Sequence, residues 1–165
     1  MSEKILADVL GTSPRLRQAV EGLDETALHW KASPDRWSIA EVLGHLTDHS
    51  VVVSFRIRAV LAGSAQRLPA LAQDAWVDGQ RTNESSAAGI LEDFEALLRY
   101  NIRLLDRLQP HEWAKSGVNA QGTTVSVADI ARGFAAHVER HLGQIDRVRQ
   151  AWAEANGGVR SEVSS

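Results

Sequence analysis

His137-Val138-Glu139-Arg140-His141-Leu142-Gly143-Gln144-Ile145 is the stretch from which the fold can be read. Around it, apolar residues recur at Val127, Ile130, Phe134, Val138, Leu142, Ile145, Val148 and Trp152. Steps of mostly three and four residues are the mark of an amphipathic helix, because they return to the same face every turn. His137 and His141 lie four apart, so their rings stand one above the other at the edge of the apolar stripe. Two imidazoles so placed can share a metal ion, or they can be two hydrogen-bonded histidines at a core margin. The spacing alone leaves both readings open.

A second helix start carries a similar pattern. Ser38-Ile39-Ala40-Glu41 is a capping box, in which the serine side chain caps the free amides and the glutamate bonds back. The helix it opens is expected to run to about Leu61, burying Ile39, Val42, Leu46, Val53, Ile57 and Val60, and to end at Gly63-Ser64. His45 follows Ser38 by seven residues and His49 by eleven, and Arg56 lies farther along that side. Ser126-Val127-Ala128-Asp129 repeats the cap almost residue for residue, and His137 follows Ser126 by eleven. Seven and eleven residues from a cap point in nearly the same direction at 3.6 residues per turn. The two helices therefore present histidines at comparable heights and angles.

Other segments fill in the bundle. Ile5, Val9 and Leu10 begin an amphipathic first helix. Thr12-Ser13-Pro14 reads as a cap followed by proline at a first helical position, which restarts or kinks the helix, and it continues through Leu16, Val20 and Leu23. A short helical turn follows over Leu23-Asp24-Glu25-Thr26-Ala27-Leu28. Ser33-Pro34-Asp35 reads as a turn between Trp30 and Trp37, which are expected as core anchors. Residues 65–81 are expected to be irregular, with Pro69 as a breaker and a turn at Trp76–Gly79. Asn83 or Ser85 is expected to cap a third long helix bearing Ile90, Leu91, Phe94, Leu97, Leu98, Ile102, Leu105 and Leu108, and Pro110 to stop it. Trp113 is expected in the core, and residues 116–124 as a polar loop. With four long helical patterns and no strand pattern, the fold expected is an all-α four-helix bundle with short extra helical turns in the connections. Residues 1–155 form the expected domain and 156–165 a frayed tail.

Composition narrows the function. The 165 residues carry a net charge of −3, which offers no basic field for nucleic acid. There is no cysteine, so disulfides, cysteine-ligated metals and a thiol nucleophile from this chain are all excluded. No apolar run reaches membrane-spanning length. The acidic N-terminal segment lacks the features of a secretory signal, so a cytoplasmic location is expected.

WSIAEVLGHL, a long helix with Arg56, a tryptophan-bearing loop and then HVERHLGQI together resemble the DinB-like superfamily. This superfamily includes bacillithiol- and mycothiol-dependent transferases and proteins named as metal-dependent hydrolases. The resemblance runs from about Ile5 to Trp152. It implies that His45, His137 and His141 bind one divalent metal, with zinc or nickel the first candidates. It also implies a homodimer, with residues 65–81 available to cover a partner.

Three neutral imidazoles leave a metal with open positions, as reactive sites require. Because the chain lacks cysteine, a thiol would come from a low-molecular-weight cosubstrate. The expected activity is metal-dependent S-transfer to a small electrophile. The alternatives are metal-dependent hydrolysis, or a non-catalytic bundle that binds a metal or small molecule. Asp48, His49, Arg56 and Gln144 are the candidate catalytic residues. His49 could be a fourth ligand, a proton shuttle, or a margin residue bonded to a backbone carbonyl, the last being favoured. Asp48 reads by default as a solvated helix charge, the alternative being support behind a ligand. Arg56 could meet an anionic substrate, with pairing to a surface carboxylate as the default. Gln144 could orient a ligand or a water, or make a helix-packing hydrogen bond. Imidazoles bind metal only when neutral, so metal release is expected below roughly pH 6, near the histidine reference pKa.

Overall fold

The long helix of the second capping pattern organises the chain. In a computed structural model, which describes residues 1–157, α4 (Ile39–Leu61) is preceded by α1 (Ser2–Leu10), α2 (Thr12–Val20) and α3 (Glu25–His29). After it come α5 (Gln73–Gly79), a 3-10 turn at Thr82–Glu84, α6 (Ala87–Leu105), α7 (Pro110–Trp113), β1 (Ser116–Val118), β2 (Thr124–Ser126) and α8 (Val127–Gly157). The bundle's four members are the broken pair α1/α2, then α4, α6 and α8. α4 lies against both α6 and α8, and α1 closes the ring by touching α6 and α8. The shared core includes Val9, Leu16, Ile39, Val42, Leu46, Ile57, Phe94, Val127, Val138 and Ile145.

The predicted starts of α4 and α8 carry their caps. Ser38 Oγ accepts from Glu41 N at 3.1 Å, and Glu41 Oε1 accepts from Ser38 N at 3.1 Å. Ser126 Oγ accepts from Asp129 N, and Asp129 returns the bond to Ser126 N. These reciprocal bonds satisfy amides that an uncapped helix leaves open, an effect of about 1 kcal/mol per cap.

Several local expectations are corrected. The first helix is interrupted at Gly11, and Thr12 donates its hydroxyl to Val9 O instead of capping α2. The cap of α6 is Ser86, whose Oγ accepts from Gly89 N, and not Asn83 or Ser85. Glu25 also reaches across from α3 to accept from the amides of Ala87 and Ala88. This tertiary capping is invisible to local sequence. Pro110 does not stop α6, which ends at Leu105. Instead it opens α7, where its missing amide is harmless. Trp76–Gly79 belongs to a helix, α5.

The loop at 116–124 contains a small hairpin. Ser116, Gly117 and Val118 pair antiparallel with Ser126, Val125 and Thr124. Three-residue strands are too short to show a period of two. They are held by their turn, in which Asn119 Oδ1 accepts from Gln121 N and Thr123 N and Gly122 takes φ +84°. Leu68 N donates to Val118 O, which ties the irregular 65–72 segment to the hairpin. The expected tail boundary also moves. α8 continues through Asn156 and Gly157, because the preceding Ala151, Ala153, Glu154 and Ala155 include no helix breaker. Residues 158–165 lie outside the described residues. No helix among the described residues is long and apolar enough to cross a membrane.

Candidate metal centre

α4 and α8 bring three histidines to one point. His45 Nε2 lies 3.0 Å from His137 Nε2, and His141 Nε2 lies 3.2 Å from it. One ligand atom from each of the three residues can be chosen so that all lie within 4.8 Å of one another. A tetrahedral ion with metal–nitrogen bonds of ~2.0–2.1 Å sets its ligand nitrogens roughly 3.3 Å apart. The observed spacings are close to that edge length. Without an ion, the single in-plane lone pair or proton of His137 Nε2 faces two nitrogens of the same kind. A cation at the focus satisfies all three lone pairs at once, so the donor set fits a divalent metal. His45 and His137 are buried and His141 is half-buried.

Gln144 is placed to orient one ligand. His141 Nδ1 donates to Gln144 Oε1 at 2.7 Å, which fixes the tautomer with a free lone pair on Nε2. His45 Nδ1 and His137 Nδ1 have no hydrogen-bond partner among the described residues. Packing orients these two rings instead. Trp37 stands 5.1 Å from His45 between ring centroids. His49 stacks on His137 at 3.8 Å and is nearly parallel to Phe134 at 6.1 Å.

That stacking corrects the reading of His49. Among the described residues the ring bonds to no backbone carbonyl, and its Nδ1 is buried without a partner. It covers the face of His137 and is absent from the three-residue constellation. Asp48 is also corrected: it is 8% exposed, not a solvated charge. Both its oxygens accept from Gln80 Nε2 at 3.1 Å, so it faces α5 and not the histidines. Burial raises its pKa. Arg56 pairs with no carboxylate among the described residues. Its Nε and Nη2 donate to Pro69 O at 2.9 and 2.7 Å.

The electrostatics keep the imidazoles neutral. Burial, followed by the nearby His141, pulls His45 down to about 4. Burial and then the Arg56 charge pull His49 to about 3, and burial with the neighbouring histidines pulls His137 to about 2. Burial also lowers His141, against the opposing effect of its bond to Gln144. A neutral imidazole is the ligating form, so the apo site is set up for metal throughout the neutral range.

Two clefts reach the centre from different sides. The larger, about 440 Å³, meets His141 and Gln144 and is walled by Trp37, Arg36, Gln73 and Arg147. The smaller, about 230 Å³, meets His137 and His49 and includes Arg56, Arg140 and the hairpin turn at 119–121. Sequence reading assigned no site role to Trp37, Arg140 or Arg147. Trp37 directly precedes the cap of the histidine helix, a usable signal. Single arginines on an exposed helix face carry none.

Comparison with known proteins agrees with this architecture. The family model described as the DinB superfamily matches residues 11–145. A protein of Oceanobacillus iheyensis, whose assignment as a metal-dependent hydrolase is itself provisional, is 25% identical over 131 residues. That match covers 79% of this chain and 75% of the relative. Among solved structures, YfiT from Bacillus subtilis is described as a probable metal-dependent hydrolase with an unusual four-helix bundle topology. It superposes with a TM-score of 0.82 at 16% identity, covering 91% of this chain and 86% of its own. The mycothiol-dependent maleylpyruvate isomerase superposes with a TM-score of 0.73 at 10% identity, covering 88% of this chain and 60% of the isomerase. At these identities the two structures establish a shared fold.

Proposed function

This chain belongs to the DinB superfamily, and from that membership and its three-histidine centre we propose that it is a divalent-metal enzyme transferring a low-molecular-weight thiol to a small electrophile. The observation that carries the reading is the pair of separate clefts meeting at one ligand cluster. A two-substrate transfer needs two approaches to one centre, whereas hydrolysis needs one organic substrate and water. The larger cleft suits the thiol cosubstrate, and the smaller suits the electrophile.

His45, His137 and His141 would hold the ion, zinc and nickel being the first candidates, and Gln144 would hold the His141 ring in its ligating tautomer. A divalent ion bound there supplies Lewis acidity, which lowers the pKa of a thiol or water at a remaining position. In the transfer the thiol S–H proton is released to solvent, a carbon–sulfur bond forms, and the electrophile's leaving group departs with its electron pair. The chain contributes no thiol nucleophile, since it has no cysteine. Its own residues would position the two substrates, and Trp37 and Phe134 would exclude bulk water from the ligand rings.

Metal-dependent hydrolysis is the second reading, favoured by the assignment of the Oceanobacillus relative. The distinguishing experiment loads tag-free protein with zinc or nickel. It is then offered a thiol panel with 1-chloro-2,4-dinitrobenzene and, separately, p-nitrophenyl esters. Thiol conjugation that is lost in His141→Ala supports transfer. Ester cleavage without conjugation supports hydrolysis. Stoichiometric metal uptake with neither reaction overturns the transferase reading.

A further inference from the structure

The smaller cleft carries a charge imbalance that the metal centre does not explain. Arg56 and Arg140 both line it. Arg56 is half-buried, and two of its guanidinium nitrogens are spent on the neutral Pro69 carbonyl. Among the described residues neither arginine meets a carboxylate within ion-pair distance. The one acid on the cleft, Asp129, is already engaged. Its Oδ2 accepts from Ser126 N and its Oδ1 from Arg132, both at 2.9 Å. The cleft therefore holds two uncompensated cations.

Much of its remaining wall is apolar, formed by Val53, Leu68, Val125, Ile130 and Phe134. The hairpin turn adds Asn119 and Gln121 at the rim. A half-buried guanidinium without a counterion favours an anion, and its planar fork matches a carboxylate in particular. An apolar floor favours hydrocarbon on the same molecule. About 230 Å³ lies below the roughly 300–1,000 Å³ of drug-sized sites, which limits the occupant to a molecule no larger than a single small ring.

We propose that this cleft binds a short organic carboxylate, its carboxylate on Arg56 and Arg140 and its hydrocarbon on Phe134 and Val53, so that its far end approaches the His137 side of the metal centre. This rests on the transferase reading only for the bound molecule's role as the electrophilic substrate; binding itself does not require the metal. Arg56 and Arg140 are thus specificity-determining residues that select an anionic substrate.

Benzoate is the probe and benzamide its uncharged counterpart. Binding to the full chain, metal-free and zinc-loaded, is followed by calorimetry and by backbone amide shifts at 119–121. Benzoate is expected to bind both forms, and benzamide at least about tenfold more weakly, since a hydrogen bond to a charged group is of that order. Arg140→Gln should weaken benzoate by about tenfold. Arg140 is exposed and anchors nothing among the described residues, so this variant should fold normally. The double variant R56Q/R140Q should lose binding, while Arg147→Gln in the other cleft should leave it unchanged. Equal binding of benzoate and benzamide overturns the proposal, as does wild-type affinity in R140Q or binding seen only with zinc and indifferent to both arginines. Zinc content is measured on every variant. Benzoate binding by a protein that takes up no zinc would defeat the metal centre alone. Normal zinc uptake without benzoate binding would defeat the carboxylate site alone.

Discussion

The metal-free protein should lose stability in mild acid because the folded state refuses protons that the unfolded chain accepts. His45, His49 and His137 are held at about 4, 3 and 2 in the fold, against 6.5 when exposed. Their neutral-state stabilisation is present in full above pH 6.5. It declines as pH falls below that value and is lost as pH falls through the folded values. At pH 5 the unfolded rings are nearly all protonated and the folded ones nearly all neutral. Each ring then costs roughly 1.4 kcal/mol per pH unit over 1.5 units, or about 2 kcal/mol. His49 and His137 line the smaller cleft, so about half of this is expected, or roughly 3 kcal/mol for the three. That is a large share of the ~5–15 kcal/mol that holds a domain together. Urea unfolding in chelator at pH 7.5 and pH 5 reads it directly. With a slope of about 2 kcal/mol per molar, the midpoint should fall by ~1.5 M. His137→Gln removes one of these groups, so its midpoint should fall less between the two pH values. His29 changes in the opposite direction: burial opposes its charge, but bonds to the Ser85 and Glu25 carbonyls raise its pKa. It is common to wild type and variant and cancels in the comparison. Equal midpoints at the two pH values, or identical pH slopes in wild type and His137→Gln, would refute the reasoning.

The same depressed values move the expected loss of metal to more acid conditions than roughly pH 6. Zinc content after dialysis at stepped pH should stay high at pH 5.5, and release near pH 6 would show solvent-like histidines. His141→Ala should abolish stoichiometric zinc binding while the circular dichroism spectrum stays helical. His49→Ala should retain most of the metal, because its ring is stacked on a ligand and is not one. Gln144→Ala frees the His141 tautomer and should weaken zinc affinity by about 10–100-fold in a chelator competition. Gly44→Ala places a methyl 2.3 Å from Thr82 Cγ2, on a buried side chain fixed by its bond to Val77 O. Overpacking of this kind should cost about 1–3 kcal/mol and lower the melting temperature by several degrees, as differential scanning calorimetry would record.

Sequence alone determined the helices that carry the site. The two Ser-x-x-acid caps marked the starts of α4 and α8. Their apolar periodicity marked the length of α4 and the inner faces of both, because capping and burial repeat every turn and are local. Distance from the cap then put His45, His49, His137 and His141 on neighbouring faces. Tertiary structure decided what each of these side chains meets. That His137 Nε2 faces both His45 and His141 depends on the height and rotation of α8 against α4. Those are set by the whole core. That His49 covers His137 instead of bonding a carbonyl depends on Phe134 behind it. Asp48 reads as solvated in one helix and becomes buried only when α5 delivers Gln80. Glu25 caps α6 from more than sixty residues away. The cationic cleft was the least legible feature. Arg56 and Arg140 lie on different helices, and their lack of counterions among the described residues is a property of how those helices pack, which no local pattern records.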